Sequence, residues 1–526
     1  MLQRKVGSLY VRYLKFQWDY RATSKLLLPY AVPFLVICLV LYGANSIRGT
    51  DQYWYLADVE AAIDGSPPVT NTYFPGTLLR GDVGPSKPNY IYHNGPMIYL
   101  SAVVGRYLGA FEAWIVINLL CHFLVAIAIF IGARELTSNT IARAISAFYL
   151  ISPLALWQTM SMLLEQYLAG VMAIIVIGLV YRRIWFGQLL FVIGIVLGTL
   201  SHPMFVAVGL MAGFCLSIKG VVGRELSTLC AGATLILLVS ILGQSVSDIF
   251  PTGFFPKLGI AIANVSPGED SMFWYFADQG NTISMHLIFA KFIDAFFRQV
   301  LHPVYLPFNI FTNIALIAWA WLFVTKRKQY GGLLLASGFV MAMYLGLIIL
   351  MQHQFRYQQL VSPVVFILIA VAVYHLSVFR SNFLVACIFL LTLLFGGVLS
   401  HKSHQHANAH QTALLESQYS LDIVSAESKI VAFDCQCDQR LNYVLKPRPV
   451  LNIRSRYLNS SAQAKVISLF NPDYFVSSRK HLDQNFSYLT QVESLSDPQY
   501  GELYWYKVED GNVYDSHRLN AVNDVM

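Results

Sequence analysis

The chain has 526 residues, of which 56% are hydrophobic and only 12% charged. Soluble domains carry about twice that share of charge, so the composition excludes an ordinary soluble fold and points to a polytopic membrane protein. The formal net charge of +7 is no sign of a nucleic-acid partner, because in such a chain the placement of basic residues matters more than their sum.

The first 25 residues hold Arg4, Lys5, Arg12, Lys15, Arg21 and Lys25 against the single acid Asp19. They form a basic cytoplasmic N-terminus, and the long apolar run that follows lacks the small-residue site of a cleavable signal peptide. Apolar stretches of spanning length are expected near 26–46, 112–133, 141–158, 166–181, 184–201, 203–218, 227–247, 309–325, 331–350, 360–378 and 382–400, which makes about eleven transmembrane helices. The inward-facing connections hold Arg134 and Arg143, Arg182 and Arg183, Lys219 and Arg224, Lys326 to Lys328, and Arg380. This agrees with the positive-inside rule. The transmembrane domain is thus expected over 26–400, with large outer loops at 47–111 and 248–308 and an outer soluble domain at 401–526. Such asymmetry puts the work of the protein on its non-cytoplasmic side.

The first outer loop begins GTDQYWYLADVEAAIDG. On a helix, Asp51, Tyr55, Asp58 and Ala62 share one face. A plain interfacial helix, with an aromatic belt and solvated acids, is one reading of it. The same loop ends in a His93-Asn94-Gly95-Pro96 turn and an amphipathic run too short to span. Glu165 stands at the mouth of a span, where an ionisable group is costly without a partner or a task. The sequence HQFRYQQLVSP at 353–363 places Arg356 and Tyr357 in a late outer turn, with Pro363 opening the next helix. Taken singly, Glu165 can snorkel and Arg356 can pair with a lipid headgroup.

The tail opens with a polar, His-rich linker, in which His401, His404, His406 and His410 read as solvated. KIVAFDC, RPVLNI and DYFVSS then read as strands, and CDQRLNYVL and SAQAKVISLF as helices. This alternation predicts a small α/β domain. Cys435 and Cys437 are too close for a relaxed disulfide within a strand, which leaves a strained redox pair or a metal contact.

These features resemble the membrane-embedded glycosyltransferases of the GT-C fold class, especially the branch of dolichyl-phosphate-mannose protein mannosyltransferases and bacterial aminoarabinose lipid A transferases. The resemblance lies in Asp51, Tyr55 and Gly65 of the first outer loop, the turn at His93–Pro96, Glu165 of the second outer loop, and Arg356, Tyr357 and Pro363. It covers roughly 26–400 and the habit of ending in an outer domain. The chain departs from many relatives at Gln52, where they carry a second acid.

The resemblance implies an all-α GT-C-like membrane protein with a small C-terminal α/β domain. It implies an inverting transfer of a hexose or pentose from a polyprenyl-phosphate donor to a glycan, lipid or protein acceptor. The catalytic base expected from it is Asp51, the donor phosphate is expected at Arg356 and Tyr357, and Asp58, His93 and Glu165 are candidates for holding substrate or a divalent cation. No cofactor is required, and magnesium or manganese is the optional ion. The expected location is a bacterial inner membrane, with the N-terminus in the cytoplasm and the tail outside. A polysaccharide polymerase or ligase, a transporter and a non-catalytic scaffold are the competing readings. A transporter predicts acids at mid-span, whereas these acids lie at the outer rim.

Overall fold

The structure is a computed structural model. It describes residues 50–65, 72–73, 78, 95–150, 152–160, 162–201, 205, 306–351 and 358–376, and in the tail 424–425, 427–435, 441, 443, 445, 448–453, 460–482, 486, 488–497 and 501–509. The spans expected at 26–46, 203–218, 227–247 and 382–400, nearly all of 248–308, and the His-rich linker fall outside these residues, single positions apart. The described residues divide between two compact units.

The membrane unit contains the helices between residues 95 and 376. Helix α2, Gly95–Leu108, starts at the expected turn, and Gly109, at φ 95°, joins it to α3, Ala110–Leu136. A side chain at Gly109 would be strained in that left-handed backbone. On α2, Met97, Ile98, Ser101, Ala102 and Gly105 are buried, while Tyr99, Val103 and Tyr107 form an exposed stripe at helical spacing. An apolar stripe on the free face suits a helix lying along a bilayer surface.

Helices α4, Asn139–Leu150, and α5, Pro153–Thr159, replace the single span expected at 141–158. Ser152 is extended, with ψ 126°, because a residue before proline is pushed out of the helical region. Helices α6, Glu165–Val180, and α7, Trp185–Ser201, follow. Helix α8, Leu306–Met351, has non-helical backbone at Lys326 and Tyr330. The Trp319 indole donates to the Leu334 carbonyl at 2.7 Å, a contact that a straight helix forbids. Helix α8 is therefore a hairpin of two helices, turning at the basic residues that the sequence placed inside.

Helix α9, Gln358–Leu376, carries Pro363 within it rather than at its start. Helices α3 and α9 are long and apolar enough to cross a membrane. Around them, Leu120, Ile317 and Val324 are exposed, as lipid-facing side chains are. Helix α3 packs on α4, α6 and α9, and α9 packs on α6 and α8.

The second unit, called the outer unit after the sidedness expected from the sequence, contains helix α1, Thr50–Asp64, strand β1, Thr72–Tyr73, and the described tail. Strands β2, Ile430–Phe433, β3, Val450–Ile453, and β4, Tyr474–Ser477, fall where the sequence placed them, as does α10, Ser460–Phe470. An antiparallel pair, β5, Leu489–Asp497, and β6, Gly501–Val508, extends the sheet. The order is β1-β3-β2-β4-β6-β5. The first four strands run parallel, and β6 runs antiparallel to both β4 and β5.

Alternation along β2 sends Val431 and Phe433 to the face covered by Val466, Ile467 and Phe470 of α10. Ile430 and Ala432 face Leu441 and Leu445. With both faces covered, β2 and β3 are buried throughout. Residues of the loop expected at 47–111 join this core. Thr72 and Tyr73 pair with Val450 and Leu451, and Leu78 is 2% exposed among the α10-side residues.

Cys435 is disulfide-bonded and lies beyond the end of β2, after Asp434 at φ 50°. Cys437 lies outside the described residues.

Candidate functional site

In the membrane unit, two helix starts are tied together. Glu165 is the first residue of α6 and is 3% exposed. Its neighbour Gln166 donates through Nε2 to the Tyr149 hydroxyl at 3.1 Å. Gln359, the second residue of α9, donates to the same hydroxyl and to Gln166 Oε1, each at 2.7 Å. Thr312 of α8 donates to Gln358 Oε1 at 2.7 Å. The elements carrying Glu165 and following Arg356-Tyr357 are thus held side by side by buried amides. Each start also presents backbone N–H groups without intrahelical acceptors, the positive end of a helix. Burial excludes the snorkelling reading of Glu165.

The broken segment leading to Glu165 is held by α3. Its backbone carbonyls need donors, because irregular backbone at membrane depth has no water to turn to. Trp114, Asn118 and His122 lie at i, i+4 and i+8, one stripe of α3. The Trp114 indole donates to the Leu163 carbonyl at 3.3 Å, and Asn118 Nδ2 donates to the Gln158 and Leu163 carbonyls, also at 3.3 Å. His122 joins the Leu150 carbonyl at 3.2 Å and the Thr159 hydroxyl at 3.0 Å. Its ring stacks on Tyr149 with centroids 4.8 Å apart, which links this stripe to the amide cluster.

In the outer unit, Asp51 is the second residue of α1, and Asp58 lies two turns further along the same face. Asp58 is 4% exposed and Gln52 1%, which overturns the reading of Asp58 as a solvated neighbour. Gly65, at φ 68°, ends the helix in the left-handed backbone that a C-terminal glycine supplies. On the opposite side of α1 from Asp51, about two and a half turns along, Glu60 accepts a hydrogen bond from the Tyr443 hydroxyl at 3.0 Å. The Tyr53 ring lies 5.7 Å from that of Tyr443. Burial, then the charge of Glu60, pushes the Tyr443 hydroxyl well above the usual tyrosine range.

Arg356, Tyr357 and His93 lie outside the described residues. They adjoin α9 and α2, whose positions are described. Among the described residues, no three His, Cys, Asp or Glu side chains converge as a metal site. The sequence reading passed over Tyr149, Gln166, Gln359, His122 and Tyr443. A signal existed for the two glutamines, since each is a polar residue at the mouth of an apolar run. Tyr443 had none.

No family model matches the chain, and no curated protein matches it in sequence. Similarity of structure extends further. ArnT from Cupriavidus metallidurans, bound to undecaprenyl phosphate, superposes with a TM-score of 0.51 at 14% identity, over 93% of this chain and 99% of that one. The archaeal oligosaccharyltransferase AglB from Archaeoglobus fulgidus, in complex with an inhibitory peptide and a dolichol-phosphate, gives a TM-score of 0.51 at 13% identity, over 85% of this chain and 69% of that one. This chain is therefore an integral membrane protein with the GT-C-like fold of those glycosyltransferases, completed by a C-terminal mixed β-sheet.

Proposed function

We propose that this protein transfers a sugar from a polyprenyl-phosphate donor to an envelope glycan, lipid or protein acceptor on the outer face of a bacterial inner membrane. The observation that carries this reading is the pairing of the two helix starts through Gln166 and Gln359 within a GT-C-like fold. It sets Glu165 beside the element that follows Arg356-Tyr357. The lipid phosphates bound to the two structural neighbours agree with a donor of this class. The eleven spans and the outward-facing tail belong to the same proposal.

The chemistry is a single displacement. The acceptor oxygen forms a bond to the anomeric carbon as its proton passes to the Asp51 carboxylate. The bond from that carbon to the donor's phosphate oxygen breaks, and polyprenyl phosphate leaves as an anion. Configuration inverts. General-base assistance contributes roughly 10²–10⁴-fold. Arg356 supplies paired donors to the leaving phosphate and stays charged throughout, with Tyr357 beside it. Asp58, His93 and Glu165 orient the substrates or hold a divalent ion.

The test is a mass profile of envelope glycans from cells lacking the protein, rescued with wild type or with Asp51→Asn at matched membrane levels. Wild type restores a missing sugar, and the variant restores it at least about 100-fold more slowly. Full rescue by Asp51→Asn removes the base assignment. A deletion strain with unchanged glycans removes the transferase reading and favours transport or scaffolding.

A further inference from the structure

The tail domain and the first outer loop are far apart in sequence, yet the loop is built into the tail. Its Thr72-Tyr73 strand forms one edge of the sheet. Its Leu78 lies in the tail's core, and its Tyr73 ring packs 5.1 Å from Phe470 of α10. Just upstream in the same loop is α1, the helix that carries Asp51 and Asp58. That helix meets the tail at Tyr443, whose hydroxyl donates to Glu60 at 3.0 Å and whose ring lies against Tyr53.

The helical geometry makes this grip directional. Tyr53 and Glu60, seven residues apart, share one side of α1, and Asp51 and Asp58 share the side about half a turn away. A contact on the first side therefore sets the rotation of the second. We propose that the tail positions the catalytic helix, and that Tyr443, through its hydrogen bond to Glu60, is the positioning residue that fixes the rotation of α1 and hence the aim of Asp51. The tail is then part of the active-site framework rather than a separate binding module. This inference rests on the glycosyl-transfer reading of Asp51.

The hydroxyl needs only an acceptor oxygen, so Glu60→Gln keeps the contact while Tyr443→Phe and Glu60→Leu remove it. The experiment uses the full-length protein in lipid nanodiscs, with hydrogen exchange followed by mass spectrometry, and the same variants in the glycan rescue assay. Loss of one hydrogen bond is expected to speed exchange across 50–64 roughly fivefold. The effect should be the same in Tyr443→Phe, Glu60→Leu and the double variant, because two halves of one contact do not add. Amides of β2 and β3 keep their protection. Sugar incorporation falls by a similar factor in these three, and Glu60→Gln behaves as wild type.

Unchanged exchange across 50–64 in Tyr443→Phe overturns the proposal. Faster exchange in the strands as well would mean that Tyr443 merely holds the tail together, and also overturns it. So does wild-type sugar incorporation in Tyr443→Phe when Asp51→Asn incorporates none. Full rescue by Asp51→Asn defeats the underlying reading, and the proposal with it. That outcome is distinguishable, since the exchange change across 50–64 would still be present.

Discussion

The membrane unit and the outer unit deal with short, broken elements in different ways. Helix α4 ends at Leu150 and α5 at Thr159, each too short to span a bilayer. Carbonyls near their ends accept from side chains of one neighbouring helix, Leu150 from His122 and Gln158 from Asn118, and Trp114 of that helix donates to Leu163 in the segment that follows. Strand β1 has two residues and would not persist alone. It survives because its backbone pairs with β3, and because Tyr73 and Leu78 pack with α10 and the strands. Where water is absent, directional side-chain donors do the work. Where water is near, apolar burial and a sheet edge suffice.

The comparison is most exposed to failure at Leu78. Leu78→Ala removes a side chain at 2% exposure from the tail's core, and should destabilise the sheet by about 2–5 kcal/mol. Thermal unfolding of the full-length protein, with exchange read on β2 and β3, measures this. A tail indifferent to Leu78 would mean that the loop only rests on it.

In the membrane unit the matching substitution is Gln359→Ala. It takes a donor from the Tyr149 hydroxyl and from Gln166 Oε1, and should cost about 1–3 kcal/mol. The loss should appear as faster exchange at the start of α6, with the tail sheet unaffected. If the tail loosens too, the two units are not independent.

The smallest effect concerns pH. The Tyr443 hydroxyl is raised by burial first and by Glu60 second. The folded outer unit therefore holds this proton more tightly than the unfolded chain does. The associated stability is fully present below the ordinary tyrosine value of about 10 and is lost as the pH rises above it. Alkaline titration of exchange across 50–64 should show loosening above that pH, and Tyr443→Phe should abolish the pH-dependent component.

Much of this was legible in the sequence, for reasons that are local. The α2 stripe of Tyr99, Val103 and Tyr107 follows from helical periodicity. Strands β2, β3 and β4 follow from runs of β-branched and aromatic residues between turns. The reversal inside α8 was announced by Lys326, Arg327 and Lys328, which cannot enter the bilayer cheaply. The break between α4 and α5 was also written locally, in Pro153, but the apolar residues around it outweighed that signal in a window of spanning length. Asp58 was undecided, because its helical face was clear and its burial was not.

The sequence by itself determined the membrane character, the amphipathic helix that begins at Gly95 and the existence of the tail domain. These depend on composition and on periods of two to four residues. Only the tertiary structure decided that Gln166 meets Gln359, 193 residues away, and that Glu60 meets Tyr443, 383 residues away. It also decided that the loop lends its strand and Leu78 to the tail. Hydrogen bonds and packing contacts select partners by position in space, and no local pattern records which distant side chain will arrive.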